Sequence, residues 1–218
     1  VAQACAVLDG FDGHMNENSR GAVLFREWLA QFDYKETLRE GELFAEAFNP
    51  LQPLSSPGDL ASLQTARKAL AAAAGVLETA GLPLDSTLGD TQFARFAGRE
   101  TPVHGGNRRE GVTNLILSGT SGHPLAPAEA EPVEGSTLLM HNGYTAVHGS
   151  SFILALAFEE QGPRAEVLLT YGQSGDPGSP YFDSQSELFR KRQWRHALFS
   201  TEAIADDIQT RRLLEEQR

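Results

Sequence analysis

Six histidines and several glycine-flanked serines are the residues of this chain best suited to chemistry. His104 lies in Pro102-Val103-His104-Gly105-Gly106, and His141 and His148 flank a strand-like stretch. A metal centre needs such side chains at helix or hairpin spacing, and no His-Glu-x-x-His occurs. Cys5 stands alone, which removes thiolate ligands and any internal disulfide. The expectation is no metal, with the histidines bonding backbone at strand ends. A serine hydrolase of the α/β type needs Gly-x-Ser-x-Gly on a strand-to-helix elbow. Gly119-Thr120-Ser121-Gly122 and Gly172-Gln173-Ser174-Gly175 each fall one residue short of it. No Gly-x-Gly-x-x-Gly and no Walker loop is present, so no nucleotide or other cofactor is expected. Asp9 to Asn18 is rich in Asp and Asn but lacks EF-hand spacing, and reads as a loop.

Composition narrows the partners. The 218 residues carry 29 acids against 18 bases, a net charge of -11. That balance argues against nucleic acid, whose phosphates require clustered Lys and Arg. With 40% hydrophobic residues the chain has the makeup of a globular domain. No apolar run approaches the ~20 residues that cross a bilayer. Cys5 is expected to be buried as a small apolar group. Val1 is not Met and no basic segment follows it, so the start does not read as a signal peptide. It reads instead as the product of proteolytic processing.

The elements that must position these residues differ between two segments. Residues 1–98 read as mostly helical. A helix begins at Ala2; a second follows the cap pair Asn18-Ser19, with Ala22, Phe25, Leu29 and Phe32 at spacings of three and four. Glu42 to Phe48 reads as a short helix. A long helix is predicted over 59–79, between Pro57 and Gly81, with Leu60, Leu63, Ala66, Leu70, Ala74 and Leu77 on one face. Residues 99–218 read as strand-rich. Runs at 112–117, 137–140, 152–158 and 167–171 favour strands, and the last two form a hairpin about Gly162-Pro163. Both hairpin strands are apolar at nearly every position, which predicts cover on both faces. Residues 119–135 read as an excursion loop. A polar helix over 184–191 and a terminal helix over 201–214 complete an α+β chain. Ser200 opens the last helix, and Arg211 and Arg212 suit its C-terminal dipole.

The most specific pattern lies in the last third. Leu168-Leu169-Thr170-Tyr171-Gly172-Gln173-Ser174 is followed by Asp176-Pro177-Gly178-Ser179-Pro180-Tyr181, then Asp183-Ser184-Gln185 and Leu188-Phe189. Upstream, in order, stand Asn18-Ser19-Arg20-Gly21-Ala22 with Leu24-Phe25, Pro102 to Gly106, and His148-Gly149-Ser150-Ser151-Phe152. This collinear set resembles the C-terminal part of the β subunit in the penicillin acylase family of N-terminal nucleophile hydrolases. Its wording is closest to acyl-homoserine lactone acylases and aculeacin-type acylases. Leu8, Asn18 and Ser184 depart from that family's usual residues.

The resemblance implies an αββα core to which the strands at 152–158 and 167–171 contribute. It implies an amidohydrolase that removes an acyl chain, from acyl-homoserine lactone first, or alternatively from a β-lactam or lipopeptide amide. It implies a periplasmic or secreted precursor, cut autoproteolytically into α and β chains. The nucleophile there is the serine that begins the β chain. Its freed α-amine acts as base, the logic being that a hydroxyl is a weak nucleophile without one. Val1 carries no nucleophilic atom, and no position here matches a catalytic residue of the family. The expected catalytic, cofactor and metal residues are therefore none, with Ser150, Ser151 and Ser174 all declined. The expected partners are the α chain and the part of β carrying the nucleophile. A non-enzymatic binding module is the competing class, separable by whether a chain with an N-terminal serine co-purifies.

Overall fold

The computed structural model describes residues 1–33, 37–41, 43–112, 114–117, 131–208 and 210. The Ser121 motif, most of the 119–135 loop, and Arg211 and Arg212 lie outside them. The chain divides into two compact units, Val1–Ser150 and Ser151–Arg218. It is an α+β protein of helices and several small sheets.

In the first unit, helix α1 spans Ala2–Asp9 and helix α2 spans Ala22–Leu29. Only Ala4 of α1 is buried, and Cys5, expected inside, is exposed. One residue turns a helix by about 100°, which carries the thiol off the packed face. The predicted cap pair also acts differently. Gly21, at φ 83°, occupies the position before α2 and no side chain caps it. Ser19 instead donates to Asp12 Oδ2 at 2.9 Å and accepts from Asn16 N, closing the preceding loop on itself. A side chain at Gly21 would press on Val7 Cγ1 at 2.9 Å, so glycine lets α1 and α2 approach.

Residues 42–48 are not helical. Strand β1 (Phe44–Glu46) pairs antiparallel with β2 (Gly58–Leu60), and that non-local ladder overrides helix propensity. Because β2 occupies 58–60, helix α3 begins later than the spacing predicted and spans Leu63–Thr79. The Ser62 hydroxyl caps it by accepting from Thr65 N. Ala66, Ala69, Leu70, Ala73, Val76 and Leu77 form its buried face, while Leu60 and Leu63 are exposed. Leu29, Phe32, Leu43 and Ala69 make an apolar cluster, with Phe25, Trp28 and Phe44 packed against it.

A four-stranded sheet completes this unit. It contains β3 (Gln92–Phe96), β4 (Arg99–Pro102), β5 (Leu115–Leu117) and β6 (Tyr144–Gly149), in the order β4-β3-β6-β5. Only β3 and β6 run parallel. The sequence reading missed β3 and β6 because polar residues interrupt both. Residues 137–140, expected as a strand, contribute only isolated bridges at Met140.

In the second unit, β7 (Phe152–Glu159) and β8 (Gly162–Leu169) form the predicted hairpin. The turn is tighter than the dipeptide Gly162-Pro163 suggested. Glu159 pairs with Gly162, whose φ of 117° glycine alone accepts readily, and Pro163 lies within β8. Helix α4 (Ser184–Lys191), the two-residue β9 (Arg195–His196) beside β8, and helix α5 (Thr201–Asp206) follow. The Ser200 hydroxyl caps α5 as expected, but the described helix ends at Asp206 rather than continuing to 214. The two-sided cover predicted for β7 is absent among the described residues, since most of its side chains are exposed.

Candidate functional site

Helix α2 carries Arg26 and Glu27 in a sequence otherwise made for burial, Ala-Val-Leu-Phe-Arg-Glu-Trp-Leu. Both are almost sealed from solvent. A buried charge needs a partner, and each finds one far along the chain. Arg26 Nε donates to Glu110 Oε1 at 2.6 Å, with the two side chains 1% and 0% exposed. The guanidinium also lies over the Tyr144 ring, 4.5 Å from its centroid. The Tyr144 hydroxyl in turn donates to Glu27 Oε1 at 2.6 Å.

Around this knot wraps the segment containing Pro102 to Gly106. Glu110 Oε2 accepts from Asn107 N at 2.6 Å, and Asn114 Oδ1 accepts from Gly106 N at 3.0 Å. Gln92 Nε2 donates to the carbonyls of Val103 and Gly105 at 2.8 and 3.1 Å. Gly105 N donates to Met15 O at 2.7 Å, tying the segment to the loop before α2. Gly105 sits at φ 113°, and a Cβ there would overlap the Asn114 side-chain amide. The two glycines after His104 are thus a steric requirement of this packing. Arg109 extends the clamp by donating to the carbonyls of Leu29 and Phe32 at the end of α2.

Electrostatics agree with a sealed interior. Burial pushes the Glu27 carboxyl above the usual carboxylate range, against the pull of the Tyr144 hydroxyl bond and the Arg26 charge. Burial also pushes the Tyr144 phenol well up. A carboxyl and a phenol so shifted are suited to hold a proton between them, but no substrate reaches groups enclosed to this degree. The arrangement positions backbone rather than performing acid–base chemistry.

The signature in the second unit is likewise a set of backbone restraints. The Gln185 side chain, buried, accepts from Leu169 N at 2.8 Å and so ends β8. Tyr171 O accepts from the first amides of α4, Gln185 N and Ser186 N, at 2.9 and 3.1 Å. Gln173 N donates to Tyr181 O at 2.8 Å, and Gly172 packs too closely on Tyr181 and Phe182 carbonyls to carry a side chain. Ser174 Oγ accepts from Asp176 N at 3.1 Å, and Asp176 Oδ1 accepts from Gly178 N at 2.9 Å. These turns bring Phe182 inside, at 3% exposure.

The other sequence candidates are scattered. Ser150 and Ser151 are exposed at the β6-to-β7 junction. His141 and His148 are exposed as well; His148 Nδ1 lies 2.9 Å from Val147 O, a backbone contact at a strand end. His196 pairs with Glu166 at 2.7 Å on the surface of the second unit. Among the described residues no three His, Cys, Asp or Glu side chains are grouped to hold a metal ion. Sequence reasoning missed Arg26, Glu27, Glu110 and Tyr144. The available signal was an Arg-Glu pair inside an apolar helical stripe.

Comparisons with known proteins agree on one family. The penicillin amidase family matches residues 1–206. The acyl-homoserine lactone acylase PvdQ of Pseudomonas syringae pv. syringae is 31% identical over 95% of this chain. Aculeacin-A acylase of Actinoplanes utahensis is 29% identical, also over 95%. The chain spans about a quarter of those relatives, 24% and 23% of their lengths. Among solved structures, a thermostable penicillin G acylase from Alcaligenes faecalis is similar over 99% of this chain and 42% of its own, at 17% identity and a TM-score of 0.43. The match of the family over 206 of 218 residues is decisive: this chain belongs to the penicillin amidase family.

Proposed function

We propose that this chain is the C-terminal scaffold of an acylase that hydrolyses a linear amide to release an acyl chain, acting on acyl-homoserine lactones. The observation that carries the reading is the 31% identity to PvdQ, collinear over 215 residues. In this reading the enzyme is a periplasmic or secreted precursor that cuts itself, and its action on acyl-homoserine lactones silences quorum signals. The β7–β8 hairpin contributes to an αββα core, and the nucleophilic serine lies on another segment.

Chemistry supports placing the nucleophile elsewhere. An internal serine has its nitrogen tied in a peptide bond, so Ser150, Ser151 and Ser174 lack the free amine this mechanism uses as base. Ser174 Oγ is moreover engaged by Asp176 N. The role left to residues 1–218 is to hold backbone in register, which the Arg26–Glu110 and Gln185–Leu169 contacts do. A lipopeptide amide is the second reading, favoured by the 29% identity to aculeacin-A acylase.

The test uses the assembled enzyme with an acyl-homoserine lactone and mass spectrometry of the products. The expected products are free homoserine lactone and a fatty acid. Ring-opened acyl-homoserine as the sole product overturns the reading. Cleavage of a lipopeptide without cleavage of the lactone substrate selects the second.

A further inference from the structure

Strand β7 is the outer strand of its sheet, whose order is β7-β8-β9, so among the described residues one of its edges is unpaired. Its sequence from Phe152 to Phe158, Phe-Ile-Leu-Ala-Leu-Ala-Phe, contains no charge and no proline. Such an edge is a template for another strand, and proteins that leave one in water blunt it with Lys, Pro or a bulge. β7 has none of these, and its ladder to β8 is unbroken across all eight residues.

The face of the strand repeats the message. Side chains alternate along a strand, which puts Phe152, Leu154, Leu156 and Phe158 on one side. They are 59%, 48%, 45% and 86% exposed. Their partners on β8, Leu169, Val167, Ala165 and Pro163, share that side and add no charge. A contiguous apolar patch of this kind on a soluble protein marks an interaction surface.

We propose that the free edge and the Phe152–Phe158 face of β7 form a docking seam for a β-strand, with apolar residues backing it, from the part of the same acylase polypeptide outside residues 1–218. The inference rests on the acylase reading above. Its occupant follows from length: the relatives extend over about four times this chain, which covers only 24% and 23% of them. A second copy of this chain fits worse. Two copies joined edge to edge would pair their β7 strands yet extend the same open face instead of covering it. The added strand supplies main-chain hydrogen bonds to the edge, and its backing residues bury the four side chains.

The test places the photo-crosslinker p-benzoylphenylalanine at Phe158 in the enzyme expressed from its whole reading frame. The expected adduct joins the peptide containing position 158 to a peptide outside residues 1–218. Adducts only within residues 1–218, from the same or a second copy, overturn the proposal, as does no adduct at all. If that variant fails to assemble, hydrogen exchange of the unmodified enzyme decides. Amides of residues 152–158 are expected to exchange as slowly as those of β8, and rapid exchange of about half of them shows a bare edge and overturns it. An enzyme with the expected adduct but no acyl cleavage refutes the function alone. One that cleaves acyl amides but crosslinks only to its own copy refutes the docking alone.

Discussion

Arg26 and Glu110, 84 residues apart in sequence, meet at 2.6 Å with neither side chain open to solvent. Glu110 uses its second oxygen on Asn107 N, so one carboxylate joins helix α2 to the segment that follows His104. Removing one member strands a buried charge. Glu110→Ala is expected to destabilise the first unit by about 3–5 kcal/mol, and Arg26→Met by a similar amount. The double variant Arg26→Met/Glu110→Leu is expected to recover most of that loss, because two apolar side chains need no desolvation. Urea unfolding of the four proteins checks this as a double-mutant cycle. Additive losses in the double variant would show that the pair is not coupled.

Two glycines with positive φ separate backbone strain from steric exclusion. Gly98, at φ 77°, has open space where a Cβ would go, whereas Gly105, at φ 113°, would drive one into Asn114. Gly98→Ala is expected to cost about 1–2 kcal/mol, the left-handed penalty alone. Gly105→Ala is expected to cost at least about 3 kcal/mol, since overpacking adds to strain. Thermal melts of the two variants side by side read the difference. Equal shifts would mean that the Asn114 amide moves aside freely.

The Glu27 carboxyl gives stability a pH dependence of known sign. Its folded pKa is raised by burial, so the native state holds the proton more tightly than the unfolded chain does. Its contribution is fully present below the unfolded value near 4.5 and is lost as pH rises through the folded value. Glu27→Gln keeps an oxygen to accept from Tyr144 and has nothing to ionise. The variant is expected to gain stability over wild type as pH rises from 4.5 toward 7, with the two alike at lower pH. Unfolding free energies measured at several pH values in that range check it; parallel curves would refute it.

The opposite sign belongs to Glu187, which Arg190 and Lys191 hold at about 2. Its contribution is present above about 4.5 and lost as pH falls toward 2. The group is nearly half exposed, so solvent screening keeps the effect below about 1 kcal/mol. Glu187→Gln is expected to lower the melting temperature slightly at pH 7 and not at all at pH 2. A large loss at pH 7 would indicate that α4 depends on the pair far more than an exposed cluster should.

What the sequence disclosed follows the range of the forces involved. Helix α4 was read to the residue, and the β7–β8 hairpin was found, because periodicity, caps and turn residues act over a few positions. Residues 42–48 were misread because pairing of Phe44 with Leu60 is invisible to local propensity. Ser19 has the chemistry of a cap, yet Asp12 claims its hydroxyl. The motifs themselves were legible as patterns, but their reasons were not. Gln185 matters because its side chain reaches Leu169 N, sixteen residues back, and Gly105 because Asn114 crowds it. The Arg26–Glu110 contact needed the fold to be seen at all.

The last expectation separates scaffold from catalyst. Ser150 N and Ser151 O make backbone bonds, to Asn114 O and from Thr170 N, that an alanine preserves. The Ser174 hydroxyl accepts from Asp176 N, a partly exposed bond worth about 1 kcal/mol. Ser150→Ala, Ser151→Ala and Ser174→Ala are therefore expected to leave kcat in the assembled enzyme within a few-fold of wild type, with Ser174→Ala melting slightly earlier. Loss of a true nucleophile instead lowers turnover by several orders of magnitude while the melt is unchanged. Measuring kcat and melting temperature on the same preparations distinguishes the two. An acyl-directed phosphonate should label the N-terminal serine of another chain and no peptide between Val1 and Arg218. A Ser174→Ala enzyme that melts like wild type and has no detectable turnover would move the nucleophile into this chain.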